Sequence, residues 1–136
     1  MTYALSTTLA QPYAATVTQV RDALGAQGFG VLTEIDLKAT MKAKLDADIA
    51  PQVILGACRP PLAHAALQAE PSIGLLLPCN VVVRSLDDNR TAVEAVDPQM
   101  MVGMTNNAAL QAVSDDASTR LRAALASLGG SPVEAA

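Results

Sequence analysis

Tryptophan is missing from this chain, and one phenylalanine and two tyrosines make up all of its aromatic residues. Phe29, Tyr3 and Tyr13 are too few and too scattered to stack nucleobases. Basic residues are also sparse, nine against thirteen acidic ones, for a net charge of −4. The densest basic cluster is Lys38, Lys42 and Lys44. A nucleic-acid binder needs many phosphate contacts, so that class is excluded. No apolar run is long enough for a membrane. The longest, Ile73 to Val83, is broken by Gly74, Pro78 and Asn80. Met1 to Gln11 carries neither a basic stretch nor an apolar stretch of the signal-peptide kind, so the expected compartment is the cytoplasm. There is no P-loop, G-x-G-x-x-G, G-x-S-x-G or H-E-x-x-H. A single histidine, His64, restricts acid–base and metal chemistry.

Aliphatic residues are what the chain has in abundance. Hydrophobic residues reach 51% and charged residues only 16%, enough apolar material to fold without metal or disulfide staples. A length of 136 residues suits one domain, expected over residues 3–130, with a frayed tail at 131–136. The two cysteines, Cys58 and Cys79, are expected as reduced thiols or ligands in a cytoplasmic protein.

Periodicity gives the elements. Thr2 to Leu9 alternates as a strand. Pro12 opens a helix whose Val17, Val20 and Leu24 form one face, closed by Gly28. Phe29 to Ile35 reads as a second strand. Asp36 is a suitable N-cap for a helix over Leu37 to Leu45, with Leu37, Met41 and Leu45 on one side and its lysines in water. Pro51 to Ala57 is a strand, and Pro60-Pro61 starts a helix through Ala69. Ile73 to Leu77 and Asn80 to Arg84 read as two strand pieces around Pro78. Asp87, Asp88 and Asn89 make a hairpin turn into Thr91 to Val96. Asp97-Pro98 opens a short helix carrying Met100, Met101 and Met104, an expected packing or dimer surface. A last helix is expected from Asn106 to Leu128, with Leu110, Val113, Ala117, Leu121 and Leu125 on one face. The fold class is therefore α+β: a curved, mainly antiparallel sheet with helices packed on one face, leaving room for a wet opposite face.

Three places exceed what a generic core needs. Cys58 falls at a strand end before a helix N-terminus, where that terminus and Arg59 favour a thiolate; His64 follows within two turns. Cys79 and Asn80 sit at a strand irregularity that can bring Cys79 beside Cys58. Glu34, Asp36 and Lys38 cluster at a strand-to-helix junction, which an N-cap and solvated charges explain without invoking acid–base catalysis.

Gly28 to Asp36 (GFGVLTEID), Ile54 to Ala63 (ILGACRPPLA), Gly74 to Val83 (GLLLPCNVVV) and the later Val96-Asp97-Pro98 together resemble the family called domain of unknown function 302. The resemblance runs from about Tyr3 to Leu128. It implies a TBP-like α+β fold, often a homodimer, in small bacterial and archaeal proteins. It implies no activity, cofactor or catalytic residue. Cys58 and Cys79 match cysteines of the family pattern. The expected function is a homodimeric small-ligand-binding or accessory protein, with its pocket around Cys58, Arg59, His64, Cys79 and Asn80. A thiol-dependent redox or sulfur-handling enzyme, and a soft-metal protein using Cys58, Cys79 and His64, are the alternatives.

Overall fold

Alternating side chains along the strands build the sheet, and its register shows how. A computed structural model describes residues 3–135. The strands are β1 (Ala4–Leu9), β2 (Gly30–Asp36), β3 (Gln52–Cys58), β4 (Cys79–Asp87), β5 (Arg90–Val96) and β6 (Glu134–Ala135). They lie in the order β2-β3-β4-β5-β1-β6, with every described pairing antiparallel. Leu55 pairs with Val81, Val81 with Ala95, and Ala95 with Leu5. Beside this row runs a second: Val53, Val83, Val93 and Thr7. Both rows are buried and form the floor of the core.

Two helices cover that floor. In α1 (Tyr13–Ala26), Thr16, Val20 and Leu24 recur every four residues and are buried. In α5 (Gln111–Ala126), Leu121, Ala124 and Leu125 face the same cluster, and Ala117 is buried as well. Each fully buried leucine contributes about 1.5–3 kcal/mol, so aliphatic burial is the main force holding the helices to the sheet. A smaller cluster of Ala66, Ile73, Met101 and Leu110 joins α3 (Pro60–Ala69) to α4 (Met100–Thr105). Two buried threonine hydroxyls donate to backbone carbonyls, Thr16 Oγ1 to Pro12 O and Thr91 Oγ1 to Gln11 O, whereas Ser114 Oγ of α5 is buried without a hydrogen-bond partner among the described residues.

Among the described residues, the opposite sheet face has no such cover. Its rows are Ile54, Val82, Glu94 and Ser6, then Gln52, Arg84, Ala92 and Thr8. Most of these side chains remain half-exposed.

Several expectations change. Ile73 to Leu77 is no strand piece: residues Pro71–Leu76 form a 3-10 helix with Ile73 buried. Pro71 presets the helical φ at its first position, which overrides the apolar run. The last helix is split. Asn106, at φ 54°, ends α4, and Asn107 caps a 3-10 turn (Ala108–Leu110) that leads into α5. The tail expected to fray from Ser131 is tied to β1. Ser131 N donates to Thr8 O, Thr7 Oγ1 donates to Ser131 O, and β6 then pairs with Leu5 and Ser6. The first strand starts at Ala4; Thr2 lies outside the described residues, as does Ala136.

The Asp36 N-cap is as expected, accepting from Ala39 N at 3.0 Å to start α2 (Leu37–Leu45). This corner buries little else. Apart from half-buried Val31, every residue of β2 is exposed, and α2 contains no buried residue.

Gly56 has no room for a side chain. A Cβ there would overlap Thr33 Oγ1 and come within 2.8 Å of Pro78 Cγ. Gly56→Ala is expected to lower unfolding stability by about 1–3 kcal/mol in a urea titration, because either β2 or the Pro78 segment must shift. An unchanged midpoint would contradict this packing.

Candidate functional site

Cys58 is the last residue of β3, and the chain turns there into α3 through Arg59 and Pro60. Cys79 opens β4 directly across from Ala57. The turn brings both cysteines to one small cavity between the sheet and helices α3, α4 and α5. Both are free thiols, Cys58 half-buried and Cys79 buried. The remaining walls include Phe29, Leu62, Ala66 and Met101. Its volume is about 20 Å³, room for roughly one water. Burial pushes the Cys79 thiol up to about 11, with the nearby Cys58 adding to the shift. Cys79 is therefore a protonated thiol at neutral pH and a poor nucleophile there.

The sequence-predicted residues separate. Arg59 reaches this cavity, and its side chain also lies across Gly28: a Cβ at Gly28 would sit 3.1 Å from Arg59 Nε. His64 does not line the cavity; it is exposed on α3. Asn80 is one residue beyond Cys79, so the pleat sends it to the opposite sheet face. Among the described residues no group of three or more His, Cys, Asp or Glu is placed to hold a metal ion. Cys58, Cys79 and His64 thus do not form the soft-metal triad weighed from sequence. Glu34, Asp36 and Lys38 do not converge on an acid–base site either. Glu34 pairs with Arg21 at 2.6 Å, Asp36 caps α2, and Lys38 Nζ donates to Ile49 O. Burial, then the charges of Asp36 and Glu34, raises the Tyr13 hydroxyl pKa beside them.

Asn80 belongs to a larger hollow on the uncovered face. A groove of about 300 Å³ crosses β3, β4, β5 and the start of β1. Val82 and Val96 contribute apolar surface, and Tyr3, Gln52, Asn80, Arg84 and Glu94 supply polar groups. Arg84 Nε donates to Glu94 Oε1 at 2.7 Å, a diagonal cross-strand pair. This volume reaches the range of small-molecule sites, unlike the cysteine cavity.

The model of the family described as "Domain of unknown function DUF302" matches residues 5–128. The chain belongs to the DUF302 family. A crystal structure of an uncharacterized conserved DUF302 protein from Bacillus stearothermophilus is similar to it throughout, with a TM-score of 0.83 and 30% sequence identity over 91% of this chain and 96% of that one. No curated protein matches. The DUF302 assignment confirms the family resemblance, and the α+β architecture is that of the Bacillus protein.

Within this DUF302 chain, sequence reading found both cysteines but missed Met101 at their cavity and most of the groove. Met100, Met101 and Met104 do not act as one cluster, since Met101 is buried while Met104 is 61% exposed. The groove did leave a signal. Asn80, Val82 and Arg84 alternate with buried Val81 and Val83, which marks one side of β4 as facing water.

Two outcomes follow for the thiols. Iodoacetamide is expected to modify Cys58 in the native protein, and Cys79 only after unfolding; equal native rates would contradict the burial of Cys79. The raised Cys79 pKa stabilises the fold fully below the ordinary value of 9.0, and this contribution is lost as pH rises through about 11. Denaturant titrations across that window should show the wild type losing roughly 2–3 kcal/mol more than Cys79→Ala. Identical pH slopes would remove this contribution.

Proposed function

We propose that this protein is a homodimeric, non-catalytic binding protein that holds a small molecule in the groove on its uncovered sheet face. The groove carries the reading: it joins an apolar floor at Val82 and Val96 to convergent polar groups at Asn80, Gln52, Arg84 and Glu94. One charge of each sign, already paired, suits a neutral or zwitterionic ligand with a short apolar body. It does not suit a polyphosphate or nucleic acid, and the net charge of −4 agrees. The cysteine cavity, with room for about one water, supports a metabolite site less well. Two free cysteines favour the cytoplasm. No helix among the described residues is long and apolar enough to cross a membrane.

The homodimer rests on a separate observation. The sheet edge at β1 is covered by β6, whereas β2 ends the sheet on the other side. There, Leu32 is 67% exposed, Ile35 45% and Leu45 71%. An open edge strand beside exposed aliphatic side chains invites pairing, and a second copy offers the matching surface.

Light scattering is expected to give twice 14.0 kDa for the wild type and 14.0 kDa for a Leu32→Glu, Leu45→Glu variant. A monomeric wild type would refute the dimer. In a fragment screen followed by NMR, binders should shift the amides of Asn80, Val82 and Arg84, and Val82→Arg should abolish those shifts. Hits confined to other surfaces would refute the groove.

A further inference from the structure

We infer that the cavity beneath Cys58 and Cys79 is a binding site for one soft monovalent cation of the copper(I) class, with Met101 as its third sulfur residue. The inference is independent of the groove and of the dimer.

Three observations carry it. Both cysteines of the chain, distant in sequence, line the same cavity, and Met101 of α4 lines it with them. The cavity admits about one water-sized body, the scale of a single ion. Among the described residues its walls hold no carboxylate and no imidazole; the other lining side chains are aliphatic or aromatic, apart from Arg59.

Donor chemistry then selects the ion. Thiolate and thioether are soft ligands that favour copper(I), which is content with few donors. Calcium and magnesium require oxygen ligands, and the cavity offers no carboxylate. A structural zinc site takes four Cys, His or carboxylate ligands, whereas the described residues of the cavity supply only two strong donors. Charge agrees as well. Two thiolates with one monovalent cation leave a single negative charge, and the Arg59 guanidinium supplies the compensating positive one. Binding exchanges the thiol protons for the metal with no change of oxidation state.

Cys58, half-buried at the strand end, gives the ion a way in, while Cys79 and Met101 form the buried side. His64 takes no part.

The test is a titration of the reduced full-length protein with copper(I) under anaerobic conditions, against a chromophoric copper(I) chelator as competitor. One ion per chain is expected. Cys58→Ser should weaken binding more than about 100-fold, since one of two thiolates is lost. Met101→Leu, which preserves volume, should weaken it about 10-fold, and His64→Ala should leave it unchanged. X-ray absorption should show a sulfur-only shell. The proposal is overturned if the wild type takes up less than one ion, if Cys58→Ser binds as tightly as the wild type, or if the shell contains nitrogen or oxygen. Circular dichroism of each variant establishes its fold. Should Cys58→Ser not fold, Met101→Leu and the absorption spectrum decide alone.

Discussion

One-sided burial of the antiparallel sheet is the constraint on which the rest of this structure depends. Leu55, Val81, Ala95 and Leu5 form one cross-strand row, and Val53, Val83, Val93 and Thr7 the next. Helices α1 and α5 close over both rows with aliphatic side chains. The chain has almost no aromatic residues with which to fill a second layer. A strand that sends every second residue into one core sends the others to the opposite face. That second set, from Gln52 and Asn80 through Val82 to Arg84 and Glu94, is therefore free to form a surface hollow.

The same alternation separates the two candidate sites. Cys79 points into the core with Val81 and Val83, and Asn80 points away from it. Neighbouring residues of one strand thus serve a sulfur-lined cavity on the helix side and a polar groove on the other. The cavity arises where two clusters meet without merging: Cys79 and Phe29 belong to the sheet cluster, and Met101 and Ala66 to the smaller one. The break between β3 and α3 at Arg59 and Pro60 delivers Cys58 to that seam.

Much of this was legible in the sequence. Alternation and helical spacing gave five of the strands and the helices that cover them, because each of those patterns records a buried face. Asp36 was readable as a cap because its side chain has a defined local task. The misreadings have physical causes. Ile73 to Leu77 looks like a strand by composition, but Pro71 commits it to a tight helical turn. Ser131 to Ala135 looks like a loose end, yet hydrogen bonds to Thr7 and Thr8, 123 or more residues away, hold it. Met101 could not be told from Met100 or Met104 by local pattern, since only tertiary packing turns it toward the cysteines. The groove residues come from four strands, and their convergence depends on a register that no single segment encodes.

The most direct test of one-sided burial is the accessibility of valine and leucine methyl groups to a soluble paramagnetic agent, read by NMR on the native protein. The account predicts strong broadening of the Val82 methyls and little or none for Val81, Val83 and Leu55. Comparable protection of Val82 and Val83 would mean that both faces of the sheet are covered, and would contradict it.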